Sequence, residues 1–331
     1  MVSACFFIPL APKDSRRVLW TIKSIRLHCT NYHIFVLLDG TREQFPGLSI
    51  AGDDAEILLA SKPSGGHWGA IWQMQNSAMM HALQRSDLSS DCVFVRIDAD
   101  AIVVRPGLVE RAQSIFNLDP SIGQLGQCHT NIVGEPMPNQ GWANWYTKMN
   151  GVLGVFRMSR ALYPSGIGWL ESFRLWSRFR VLVRAAVSNG FRLGEFAIGP
   201  SILRLTTVRR LFDEGWLTES PFKYFSRIQD DVAITPHVYA VGYRAVDDVA
   251  ENGLFAICGK EPWIHPFKLR QRGHYIIHSI KYGVTYESPY LTEAELAEAL
   301  VENISPESVA AAILGKSSIR TRTAKMAGEF E

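Results

Sequence analysis

The feature that most constrains this chain is VFVRIDADAIV, residues 93–103. An apolar run of strand character breaks at two aspartates one residue apart, then turns apolar again. Carboxylates at the mouth of a buried strand are costly to desolvate unless something compensates them. One compensation is local: aspartate is common in strand-end turns and caps helices. The other is a hard divalent cation, since Mg2+ and Mn2+ take one or two protein carboxylates together with water and phosphate oxygens.

What surrounds this strand narrows the fold. ACFFIPL, HIFVLLDG and AEILLA read as strands, SRRVLWTIKSIRLHC and 68–83 as helices, and DCVFVRIDAD as the strand leading to the aspartates. In the first helix Val18, Ile22 and Ile25 share a face, with Leu19 a candidate fourth member. Alternation of near-continuous apolar strands with helices predicts parallel strands covered on both faces, with a ligand crevice beyond their carboxyl ends. Asp39 and the pair Asp98 and Asp100 fall at such ends.

Composition excludes some classes. The 331 residues are 47% hydrophobic and 20% charged with a formal net charge of +2, the balance of a soluble globular protein without a nucleic-acid signature. Five dispersed cysteines without a CxxC spacing suggest reduced thiols and a cytoplasmic setting. The apolar start lacks a basic leader and reads as a first strand, and no stretch has the length of a bilayer crossing.

Later segments are less regular. NGVLGVFRMSRAL (150–162) is glycine-rich and then helical. Residues 164–216 mix Trp and Phe with many arginines. PWIHPFKLRQRGHYIIHSIKYG carries His265, His274 and His278, and in a strand the last two share a face. LTEAELAEALVENISPESVAAAILG reads as two short helices, the first capped by Thr292.

Several segments, in order, resemble metal-dependent, nucleotide-sugar glycosyltransferases of the GT-A fold, closest to the family-2-like group. IFVLLDGT (34–41) is similar to the strand whose aspartate meets the base. GGHWGAIWQMQNSAMMHAL (65–83) is similar to the glycine-then-helix segment near the nucleotide. VFVRIDADAIV resembles the DxD strand, and 150–162 the segment lining the donor sugar. IQDDVAITPHVYAVGYRA (228–245) resembles the Glu-Asp segment, and HSIKY (278–282) the late metal histidine. The Glu of Glu-Asp is Asp here, and the aromatic acceptor motif is absent.

The resemblance implies an α/β, Rossmann-like mixed sheet flanked by helices, one large domain with a helical C-terminal extension. Residues 1–105 would form the nucleotide half. Residues 106–290 would form the donor-sugar and acceptor half, with 164–216 as an insertion, 291–316 as C-terminal helices and 317–331 as a flexible tail. It implies transfer of a sugar, with inversion, from a nucleoside-diphosphate sugar (UDP-sugar favoured) to a hydroxyl of a glycan or other acceptor, in glycoconjugate or surface polysaccharide synthesis. Mn2+ or Mg2+ would sit on Asp98, Asp100 and His278. Asp100 would ligate directly, while Asp98 would serve the ribose or reach the metal through water. Asp231 would act as base, with Asp230 as the fallback. Pro9, Asp39, Trp68, Asn76, Asp98, Gly151 and Lys281 would contact the nucleotide sugar.

Each role has a plainer counterpart. Asp230-Asp231 suits a helix N-terminus by charge alone; Asp39 suits a strand-end turn; Trp68 suits packing. Residues 164–216 read as a solvated helix pair, an acceptor-binding segment, or a peripheral contact with the inner face of an anionic membrane. The competing functions are a haloacid-dehalogenase-type phosphatase, in which DxD usually follows the first strand, a sugar nucleotidylyltransferase, whose glycine-rich loop is missing here, and a non-catalytic nucleotide-sugar binder.

Overall fold

The computed structural model describes residues 1–45, 48, 50, 52–59, 68–137, 143, 144, 146–148, 151, 169–217, 230–257, 264–280 and 292–302. Strand β1 (Val2–Leu10) leads to helix α1 (Arg17–His28), β2 (Tyr32–Leu38) and β3 (Ala55–Leu59). Helix α2 (Trp68–Leu83), β4 (Leu88–Arg96), the short β5 (Ile102–Val103), α3 (Leu108–Leu118) and β6 (Ile122–Gly126) follow. Next come α4 (Trp169–Ser188), β7 (Ser201–Arg204), α5 (Leu205–Asp213), α6 (Asp230–Ala240) and β8 (Arg244–Asp247). The last elements are β9 (Phe255–Ile257), α7 (Pro266–Gln271), β10 (Ile276–His278) and α8 (Glu293–Val301).

Seven strands form one sheet in the order β3-β2-β1-β4-β7-β6-β8, and β5-β10-β9 form a second. The first four strands of the large sheet are parallel, as the alternation predicts. Strand β7 runs antiparallel to both neighbours, so the sheet is mixed. The expected α/β architecture, a mixed sheet flanked by helices, is therefore the observed one.

Strand alternation decides which side chains meet which helices. Phe6, Ile8 and Leu10 of β1 join Val18, Ile22 and Ile25 of α1 and Leu108 and Ala112 of α3 on one face. Leu19, one position round the helix from Val18, is 43% exposed and does not join them. On the other face Phe7 stacks between Phe35 and Phe94, with ring centroids 5.3 and 5.5 Å apart, under Ala78, Met79 and Ala82 of α2. Two covered faces explain why these strands read as continuous apolar runs.

The segment 164–216 supplies β7, which pairs with β4 and β6 in the middle of the sheet. A four-residue strand between two helices is too short for pattern reading to separate from its surroundings. Helix α4 packs Trp176, Phe179 and Val183 against Val232, Ala233 and Tyr239 of α6. Phe173, Arg174, Arg178, Val181 and Arg184 face solvent. Among the described residues no helix is long and apolar enough to cross a membrane, and Cys5, Cys29, Cys92 and Cys128 are buried free thiols. Thr292 caps α8 through a reciprocal bond pair with Glu295; the second expected C-terminal helix lies outside the described residues.

Candidate metal and nucleotide site

Strand β4 ends beside β1, where the Ile97 amide donates to Phe7 O at 3.0 Å. The chain then turns: the Ala101 amide donates back to Asp98 O at 3.1 Å, which puts Asp98 at the first position of a tight turn, a place aspartate favours. Helix α1 holds this turn from below. The buried Thr21 hydroxyl lies 2.9 Å from Ala99 O and 2.8 Å from Ala101 O, and Ser24 Oγ accepts from the Val103 amide at 3.1 Å. Past the turn, β5 pairs antiparallel with β10, with Ile276 opposite Val103. That pairing carries His278 back to the aspartates, and the Ile280 amide donates to Asp100 O at 3.1 Å.

The result is one compact group. His278 Nε2 is 3.1 Å from Asp98 Oδ2 and 3.3 Å from Asp100 Oδ1, and ligand atoms of all three residues lie within 4.8 Å of one another. Ser279 Oγ donates to Asp100 Oδ2. Arg96 sets Nη2 3.0 Å from Asp98 Oδ1 and Nη1 3.3 Å from Asp98 Oδ2. Burial lowers the pKa of His278, but the charges of Asp98 and Asp100 and a bond to Asp100 outweigh it and hold the group above the ordinary histidine value. The imidazole thus sits where positive charge is favoured. The two carboxylates suit Mg2+ or Mn2+, and the imidazole, a borderline donor, favours Mn2+ of the two.

A second cluster, Cys128, His129 and Asp247, has similar spacing but a different chemistry. Asp247 accepts from the backbone amides of Cys128, His129 and Thr130 and from the Thr130 hydroxyl, so its oxygens are already satisfied. Burial pushes the Cys128 thiol well above its ordinary value, away from the thiolate that binds metals. His129 Nε2 faces Glu195 Oε2 at 3.1 Å. This cluster fastens the end of β6 to the end of β8.

The other expected residues fall as follows. Asp39 follows β2 at the same carboxyl edge, its amide donating to Leu10 O at 2.9 Å. Pro9 lies in β1 opposite Leu37. Asn76 is buried on α2, and neither its amide nitrogen nor its oxygen has a hydrogen-bond partner among the described residues. Trp68 begins α2 and Asp230 and Asp231 begin α6; for these three the backbone alone is described. Gly151 is exposed, its amide donating to Thr147 O at 3.1 Å, and the rest of 150–162 lies outside the described residues. Lys281 also lies outside them. Of the three late histidines, His265 caps α7 by accepting from the Phe267 amide, and His274 is buried against Gly253 O. His278 alone of these meets the aspartates.

No protein-family model matches this sequence, and a search of curated proteins finds no match. Among solved structures, the chain is similar to the mannosyltransferase PcManGT from Pyrobaculum calidifontis in complex with GDP-Man and Mn2+. The likeness has 14% identity and a TM-score of 0.41, over 98% of this chain and 79% of that one. A likeness of that degree carries no weight for the chemistry, which rests on the geometry above.

Three contributors escaped the sequence reading: Arg96, Thr21 and Ser279. Arg96 stands two residues before Asp98, but its contact with that carboxylate is set by the turn that follows β4. Thr21 on the apolar face of α1 was a weak signal. Ser279 carried none.

Proposed function

We propose that this chain is a metal-dependent glycosyltransferase that moves a sugar from a nucleoside-diphosphate sugar to an acceptor hydroxyl. The observation that carries this reading is the convergence of Asp98, Asp100 and His278 at the carboxyl edge of a mixed sheet, where α/β proteins bind ligands. The three residues would hold Mn2+ or Mg2+, which when bound neutralises charge building on the departing diphosphate. Asp39, Pro9 and Trp68 would meet the nucleoside, with UDP the favoured donor base. The buried, unpartnered amide of Asn76 supports a polar ligand or water beside α2. Gly151 would line the sugar and Lys281 would meet a phosphate.

Asp231, with Asp230 in reserve, would take the acceptor's proton from the face opposite the leaving group, giving inversion. Ile234, one helical turn after Asp230, lines a cavity together with Arg96, the partner of Asp98. In this reading 1–105 is the nucleotide half and 106–290 the sugar and acceptor half of one domain, followed by a helical extension (291–316) and tail (317–331). The acceptor would be a growing glycan or other hydroxyl compound, met in the cytoplasm or at an anionic inner membrane face.

The test is a thermal-shift screen against UDP, GDP, CMP and dTDP, each with Mn2+ and with EDTA. A metal-dependent rise in Tm for one nucleotide, absent in Asp100→Ala, is expected. Hydrolysis of p-nitrophenyl phosphate with Mg2+ and indifference to every nucleotide would replace this reading with a phosphatase.

A further inference from the structure

Arg96 is the last residue of β4, and its backbone is held on both sides, opposite Phe7 of β1 and Ser201 of β7. Its side chain is only 14% exposed, and its guanidinium engages both oxygens of Asp98. One of those oxygens is also the one that His278 approaches. Asp98 is thus a carboxylate shared between a fixed positive charge and the proposed cation site. Arg96 also lines a small, mostly apolar cavity together with Gln75, Phe94, Ser201 and Ile234.

A divalent cation and a guanidinium on one carboxylate repel each other, and strongly where water is scarce. An anion placed between them removes the conflict, and a guanidinium fork matches phosphate oxygens in a bidentate way that a lysine cannot. We propose that Arg96 couples cation binding to nucleotide binding. The cation competes with Arg96 for Asp98, and the diphosphate takes up the guanidinium that the cation displaces. Arg96 is then a diphosphate-binding and positioning residue outside the DxD sequence. Nucleotide would tighten the cation and the cation would tighten nucleotide by the same factor. This inference rests on Asp98, Asp100 and His278 forming a cation site.

The test is isothermal titration of the full chain with Mn2+ alone, with UDP alone, and with UDP in saturating Mn2+, on wild type, Arg96→Gln and Arg96→Lys. If another nucleotide gives the metal-dependent thermal shift, it replaces UDP. Opposite signs are expected in Arg96→Gln: Mn2+ alone binds more tightly, because Asp98 is released and a positive charge is gone. UDP with Mn2+ binds about tenfold more weakly, the loss of one charge-assisted bond pair. The mutual tightening seen in wild type shrinks. Arg96→Lys, which keeps the charge without the fork, shows the same UDP loss with little change for Mn2+ alone, and it decides the matter if Arg96→Gln does not fold. Parallel weakening of both ligands, or no change in either, overturns the coupling role while leaving the cation site standing. Wild type that binds no Mn2+ with or without nucleotide overturns the cation site itself, and this inference with it.

Discussion

The Ser279 hydroxyl donates to an Asp100 carboxylate oxygen across 179 residues of chain. That contact closes the cation group: it fixes the carboxylate that would ligate directly, and it does so from the strand end that also carries His278. Removing the hydroxyl with Ser279→Ala frees that carboxylate to turn. The expected outcome is about tenfold weaker Mn2+ binding, the low end of the usual scale for losing a partner that orients a metal ligand. Isothermal titration reads it. Unaltered affinity would show that Asp100 needs no such support.

Asp231→Asn separates binding from chemistry. It keeps the shape of the side chain and removes the proposed base, so metal-dependent nucleotide binding is expected to stay at the wild-type level while transfer falls by two orders of magnitude or more, about the scale of general-base catalysis. Thermal shift reads the first and release of nucleoside diphosphate in the presence of acceptor reads the second. Full transfer by Asp231→Asn would move the role to Asp230 or away from α6.

Thr21 supports the aspartate turn from a different helix. In Thr21→Val the carbonyls of Ala99 and Ala101 lose a buried donor. We expect a destabilisation of about 1–3 kcal/mol, the cost of leaving buried acceptors unsatisfied, together with weaker Mn2+ binding. Denaturant unfolding and metal titration check the two halves. Destabilisation with unchanged metal affinity would separate the turn's stability from its function.

His129 makes stability depend on pH. Asp247 bonds it and, against the cost of burial, the charges of Asp247 and Glu195 hold its pKa above the ordinary 6.5. Arg192 stands 3.9 Å from Glu195 as a charge of the other sign. A histidine whose folded pKa is raised stabilises the fold fully below the unfolded value and loses that contribution as pH rises through the folded one. The Tm of wild type minus that of His129→Gln should therefore be largest in mild acid and shrink from near pH 6.5 upward. A difference that is flat with pH would mean that the imidazole stays neutral in the fold.

The arginine face of α4, with Phe173 and Val181 exposed beside Arg174, Arg178 and Arg184, sets up a membrane test. If this face docks on anionic lipid, the protein sediments with vesicles containing phosphatidylserine at low salt, and added salt releases it. Replacing the three arginines by glutamine abolishes sedimentation and leaves nucleotide binding intact. Failure of the wild type to sediment would leave α4 a solvated helix.

Local order was largely readable from the chain. Apolar runs such as ACFFIPL and HIFVLL specify strands buried on both faces, because only such strands tolerate so little polarity. Thr292 and Glu295 specify a helix start, and two aspartates after VFVRI specify a costly turn that asks for compensation. Spacing along the chain sufficed for these because the interactions are short-range. It did not reveal β7, since a strand of four residues acquires its identity from the strands beside it, here β4 and β6. Among His265, His274 and His278 the sequence favoured the last only by resemblance, and the tertiary structure separated them by position. The pairing of β10 with β5 sets one of them against Asp98 and Asp100 and leaves the others to a helix cap and a buried carbonyl. Only the folded chain could also show Arg96 gripping Asp98, because the sequence lists charges in order, whereas carboxylate chemistry depends on which charges stand within a few ångströms in a medium poor in water.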